Sequence, residues 1–221
     1  MVIEENKMNN YFTKVFLWMF IGLFVSGGIA YFTANNYGML RFVSNFYLLI
    51  IILELICVVA FSKMVMKVSS NTSKLLFIAY SALNGLTLSS VFLVYKVGSI
   101  AMAFFAAAIM FGLLALYGFI TKNDLTSFGK ILLIGLLAVI ITSIINMFIG
   151  NQSINIITSI ISVLIFCGLT AYDMQKLKRL YNYYGEEKRD GIAIYGALDL
   201  YLDFINIFIH ILSLFGGRRN N

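Results

Sequence analysis

"GALDLYLDFINIFIHILSLFGG", residues 196–217, is the stretch that decides the fold. It has the apolar content of a membrane span running on to Phe215, yet Asp199 and Asp203 stand in its first half and His210 in its second. At ~100° per residue, Asp199, Asp203, Asn206 and His210 fall within about 60° of one another and form a polar stripe ~16 Å long. The opposite face, with Tyr201, Ile205, Phe208 and Leu212, is apolar. A charge at bilayer depth costs at least ~2.5–3.5 kcal/mol, so the stripe is predicted to turn into a helix bundle.

The rest of the chain supplies that bundle. Of 221 residues, 61% are hydrophobic and 12% charged, a balance that excludes a water-soluble domain of this size. Apolar runs lie at about 11–33, 45–66, 75–95, 99–121, 131–149, 154–173 and 192–215, each near the length that crosses ~30 Å of hydrocarbon. Short polar breaks separate them, among them "TANNYGMLR", "KVSSNTSK", "TKNDLTSFGK" and "GNQS". The expected architecture is all-α: one domain, residues 1–221, of seven transmembrane helices. Proline is absent, which leaves kinks to Gly, Ser/Thr or inserted water.

Orientation follows from the cations. Lys7, Lys14, Lys63, Lys67, Lys74, Lys122, Lys130, Lys176, Lys178, Arg179, Lys188 and Arg189 fall on the side of the N-terminus; Arg41, Lys96, Arg218 and Arg219 fall on the other. Twelve against four places the N-terminus in the cytoplasm. Arg218 and Arg219 sit on the disfavoured side, which leaves open a re-entrant seventh helix. The net charge of +6 reads as topology and attraction to anionic lipid, not as a nucleic-acid footprint. The short start without an Arg-rich presequence or a cleavage site points to a retained first helix in a bacterial cytoplasmic (inner) membrane.

Most familiar chemistries are absent from the sequence. One His and two dispersed cysteines make no zinc or haem signature, and no glycine-rich phosphate loop is present. Cys57 and Cys167 read as packing, as does "GLLALYG" at 112–118. No tightly bound cofactor and no enzymatic activity are expected. What remains are four acids inside spans: Glu54, Asp173, Asp199 and Asp203. Asp173 closes the expected sixth span in "CGLTAYDMQKLKRLY", where a solvated helix end is the plain reading. Chain direction brings Asp173 and the acids of the seventh helix to the same side of the bilayer. Two carboxylates sharing a low-dielectric site cannot both ionise cheaply, and such a pair is a proton-sensitive latch. The competing reading of the stripe is interhelical hydrogen bonding.

"AYDMQKLK" followed by "ALDLYLDFINIFIHILSLFG" resembles the last two helices of the Bax inhibitor-1 family, the transmembrane Bax inhibitor motif proteins, and "GLTLSSVFLVY" at 85–95 resembles that family's third helix. The resemblance implies a bundle whose last helix is central, and a pH-sensitive calcium leak channel. Matched motif to motif, its paired sensor aspartates fall on Asp173 and Asp203, which would also be the weak, transient calcium ligands; Asp199 is an extra acid beside the motif. The family's basic residue at the inner end of the second helix falls on Lys63 or Lys67, a point charge in place of a fork. Glu54 is a candidate to line the path or coordinate a cation. Calcium enters as permeant ion, and lipid and membrane proteins, a membrane protease among them, are the expected partners. Two other classes compete. Intramembrane aspartyl proteases also pair "YD" with a second aspartate, but they need Gly where this chain has Leu198, and a proline-containing segment. A regulator of protein quality control or stress response would dock partners on loops such as "KLKRLYNYYGEEKRDG".

Overall fold

A computed structural model describes residues 2–64, 68–185 and 188–219. Within them the chain forms seven helices: α1 (Val2–Ala34), α2 (Tyr37–Met64), α3 (Ser70–Val94), α4 (Val97–Ile120), α5 (Thr126–Ile149), α6 (Gln152–Tyr183) and α7 (Arg189–Phe215). All seven are long and apolar enough to cross a membrane, and no strand occurs among the described residues. Phe24, Phe148 and Leu164 are 80%, 81% and 66% exposed; side chains of this kind on every helix make a surface that lipid, not water, solvates.

Several boundaries differ from expectation. The apolar run predicts a sixth span ending at Asp173, but α6 continues through "MQKLKRLYNY" to Tyr183. Lys, Arg, Gln and Leu are good helix formers, and no breaker intervenes before Gly185; loss of apolar character marks the end of hydrocarbon, not of the helix. The second helix starts eight residues before the expected Asn45, and non-helical angles at Phe46 (φ −113°, ψ 17°) kink it where the sequence suggested a start. The seventh helix is continuous over 27 residues, without the break that a re-entrant turn would need. After it, the Lys96 amide donates to the Gly217 carbonyl and the Arg219 amide to the Val94 carbonyl, so the tail lies along the α3–α4 connection.

The chain forms two compact units, one of Met1–Tyr95, Leu180–Tyr201 and Arg219–Asn221, the other of Lys96–Arg179 and Leu202–Arg218. In the first, α1 and α3 meet at Gly85, where an added Cβ would press on the Ser26 carbonyl and the Ile29 side chain. In the second, Gly118 of α4 lies so near the Ala171 backbone of α6 that no side chain fits. The glycine at the end of "GLLALYG" is therefore a packing glycine as expected, while Gly112 at its start faces open space. A polar clasp holds the α4–α5 connection to the end of α6. Gln175 accepts from the Leu125 amide at 2.9 Å and donates to the Asn123 carbonyl at 2.7 Å. Arg179 reaches Asp124, Thr126 and Gln175 at 3.1, 2.9 and 3.0 Å. The hydroxyl and amide of Thr126, and then the Arg179 guanidinium, hold the Asp124 carboxyl below its ordinary range.

Candidate functional site

α7 is the most buried helix: 72% of its most apolar stretch is covered, against 50% for α6 and 39% or less for the others. Its apolar face is packed, with Tyr201, Ile205, Phe208 and Leu212 at 0–7% exposure. Its stripe is covered as well: Asp203 is 3% exposed, and Asp199, Asn206 and His210 are half-buried. The stripe does not alone face inward; both faces do, as a helix apolar on most of its circumference requires.

Asp173 and Asp203 belong to the same unit. Asp173, 9% exposed, is set by the Gly118–Ala171 approach two residues earlier and pairs with Lys176 at 3.3 Å, one turn along α6. The extension of α6 creates that partner, which a helix ending at Asp173 would lack. Asp203 lies within electrostatic reach of Cys167 on α6, and the neighbouring Phe204 ring is wedged edge-on between Phe104 and Phe111 of α4. Further along the stripe, Asn206 donates to the Leu202 carbonyl of its own helix at 2.8 Å. His210 stacks on Phe166 and lies 3.4 Å from the Ser159 hydroxyl, itself 3.4 Å from Ser213.

In the other unit, Glu54 has the partners that the sequence did not reveal. One carboxylate oxygen accepts from Thr87 at 2.9 Å and from the Asn84 amide at 3.2 Å. Asn84 accepts in turn from the Tyr201 hydroxyl at 2.7 Å, and Tyr201 lies 2.6 Å from Ser26. Because the Tyr201 proton goes to Asn84, Ser26 is the donor in that last contact. The Ser26 hydroxyl also sits 2.7 Å from the Ser81 carbonyl and 2.9 Å from that of Gly22, so three acceptors share one proton. The ring of Tyr201 belongs to the apolar face expected from the sequence, but its hydroxyl is the hinge of a buried polar chain joining α2, α3, α7 and α1. The cue was its type: a buried tyrosine hydroxyl finds a partner.

The remaining candidates are placed as follows. Asp199, in the first unit, lies within electrostatic reach of Tyr11. Lys63 stands exposed in the last turn of α2, and Lys67 lies outside the described residues. Cys57 is exposed, Cys167 buried, and both are free. No group of three or more His, Cys, Asp or Glu able to hold a metal occurs among the described residues. The arrangement offers oxygen ligands and titratable groups along helices, with two carboxylates deeply buried in one unit.

The sequence matches the family described as inhibitor of apoptosis-promoting Bax1 over residues 8–220. It is 39% identical over 218 residues to the inner membrane protein YbhL of Escherichia coli K12, covering 96% of this chain and 93% of that protein. It is 40% identical to an uncharacterized protein of Borreliella burgdorferi, covering 96% and 94%.

Proposed function

We propose, from the premise that the chain belongs to the Bax inhibitor-1 family, that this integral membrane protein is a pH-sensitive leak for cations, calcium foremost. The observation carrying this reading is that, among the described residues, Asp173 and Asp203 are the two carboxylates less than a tenth exposed, and they share a unit. With one proton between them the gate is closed. Deprotonation leaves two anions in a poorly hydrated site, and their repulsion favours a state in which one meets a cation or water. Lys176, already at Asp173, is the cation at hand; Lys63 is the candidate from α2. Carboxylate and hydroxyl oxygens suit calcium, and few ligands mean weak binding and quick release, as conduction requires. No tightly bound cofactor and no chemical turnover belong to this reading. The protein is assigned to a bacterial inner membrane with its N-terminus in the cytoplasm.

The test is calcium uptake into liposomes across a pH series. Wild-type flux is expected to rise as pH rises through the range in which the pair loses its proton, with that dependence abolished in Asp173→Asn and Asp203→Asn. An unchanged pH profile in both variants sinks the latch. No flux above empty liposomes at any pH transfers the assignment to a regulator acting through membrane partners.

A further inference from the structure

A cleft of about 210 Å³ opens at the N-terminal ends of α1 and α7, lined by Lys7, Asn10, Tyr11, Lys14, Arg189 and Asp190. We infer that it is a binding site for a phosphate group, presented by the headgroup of an anionic lipid or by a soluble phosphate. Its volume is several times the roughly 30 Å³ of one liquid water, enough for a hydrated phosphate.

Four observations converge on an anion. Three cations line the cleft, and among the described residues the acids found near it are Asp190 in the lining and Asp199 within reach of Tyr11. Two of the cations are held in place: Lys14 is 2.7 Å from Asp190, and the Arg189 guanidinium lies 4.3 Å from the centre of the Tyr181 ring, which packs against Tyr11 at 5.2 Å. Fixed cations lose less freedom on binding than mobile ones, and the planar fork of Arg189 suits two phosphate oxygens. The first turn of the long helix α7 starts at Arg189, so backbone amides without partners in the helix point the same way. Tyr11 lines the cleft at 3% exposure, and its hydroxyl is buried with no hydrogen-bond partner among the described residues. A buried donor in that condition costs about 1–3 kcal/mol, which a ligand oxygen would recover.

This inference is independent of ion conduction. The experiment titrates the full-length protein in a neutral detergent with short-chain phosphatidylglycerol, short-chain phosphatidylcholine and inorganic phosphate, reading heat or native mass. Saturable binding of phosphatidylglycerol over phosphatidylcholine is expected, weakened about tenfold or more in Arg189→Gln and several-fold in Tyr11→Phe. It should be unchanged in Lys130→Gln, which removes an exposed lysine of the other unit. Tyr11→Phe removes one atom and keeps the packing, so it decides the matter if Arg189→Gln does not fold. Inorganic phosphate competing with the same variant dependence assigns the site to a soluble anion. Absence of saturable binding of either, or equal weakening in Lys130→Gln, overturns the site.

Discussion

Glu54 and Asp173 are both carboxylates set into apolar helices, and the two units hold them by different means. Glu54 is held by neutral donors, Thr87 and Asn84, the latter buttressed by Tyr201 and Ser26. Asp173 is held by a lysine whose side chain is 27% exposed. A carboxylate held by neutral donors depends on its own charge alone, whereas a carboxylate–ammonium pair depends on the charge of both members and is more sensitive to salt. Composition alone cannot tell the two apart: each is one acid in one span. The difference lies in the partners: neutral side chains in the first unit, a lysine in the second.

The largest effect should come from removing the geometry of the second unit. Gly118→Leu forces a side chain into the Ala171 backbone, and overpacking of this kind costs about 1–3 kcal/mol or more. Its unfolding temperature in detergent should drop by many degrees, while Gly112→Leu, facing open space, changes it little. Equal behaviour of the two would remove the close approach as the determinant of where Asp173 sits. Next comes Tyr201→Phe, which leaves the Asn84 oxygen and the Ser26 hydroxyl to rearrange and should destabilise by about 1–3 kcal/mol. If the pH response belongs to Asp173 and Asp203, the pH profile of flux stays unchanged, and a moved midpoint would show that Glu54 takes part in it. Lys176→Met is smaller in stability, about 1 kcal/mol or less for a partly exposed pair. Deprived of the cation that favours the Asp173 anion, the leak should open at higher pH. A stable variant with an unmoved midpoint would show the pair to be incidental. Asp124→Asn is smallest, because the clasp is solvent-exposed. The folded carboxyl is held low by Thr126 and Arg179, so its contribution is present above about pH 4 and disappears as pH falls through the depressed value. Melting curves of wild type and variant should differ slightly near neutrality and converge in acid.

How much of this could be read from the chain depends on what each feature needs. Seven spans follow from runs of apolar residues, because the bilayer sets their length. Helix ends do not: α6 runs on for ten residues past Asp173 because helix propensity and hydrophobicity part company in "KLKRLYNY". The buried carboxylates Asp173 and Asp203 were legible as acids where acids are expensive. Their neighbours were not, since Gly118 and Lys176 acquire meaning only when α4 packs on α6 and α6 continues. Tyr201 counts as apolar in a periodicity argument, while its hydroxyl reports only when Asn84 and Ser26 are placed beside it.

The uninterrupted course of α6 also sets a clock. An acid at a fraying helix end would change its surroundings in nanoseconds. One in the interior of a helix of 32 residues, backed against α4 without room for a Cβ, moves only when the helix moves as a body. Such shifts belong to microseconds and longer. Proton exchange at Asp173 and any rearrangement that follows it should therefore separate in time, so that a pH jump produces a lag between protonation and response.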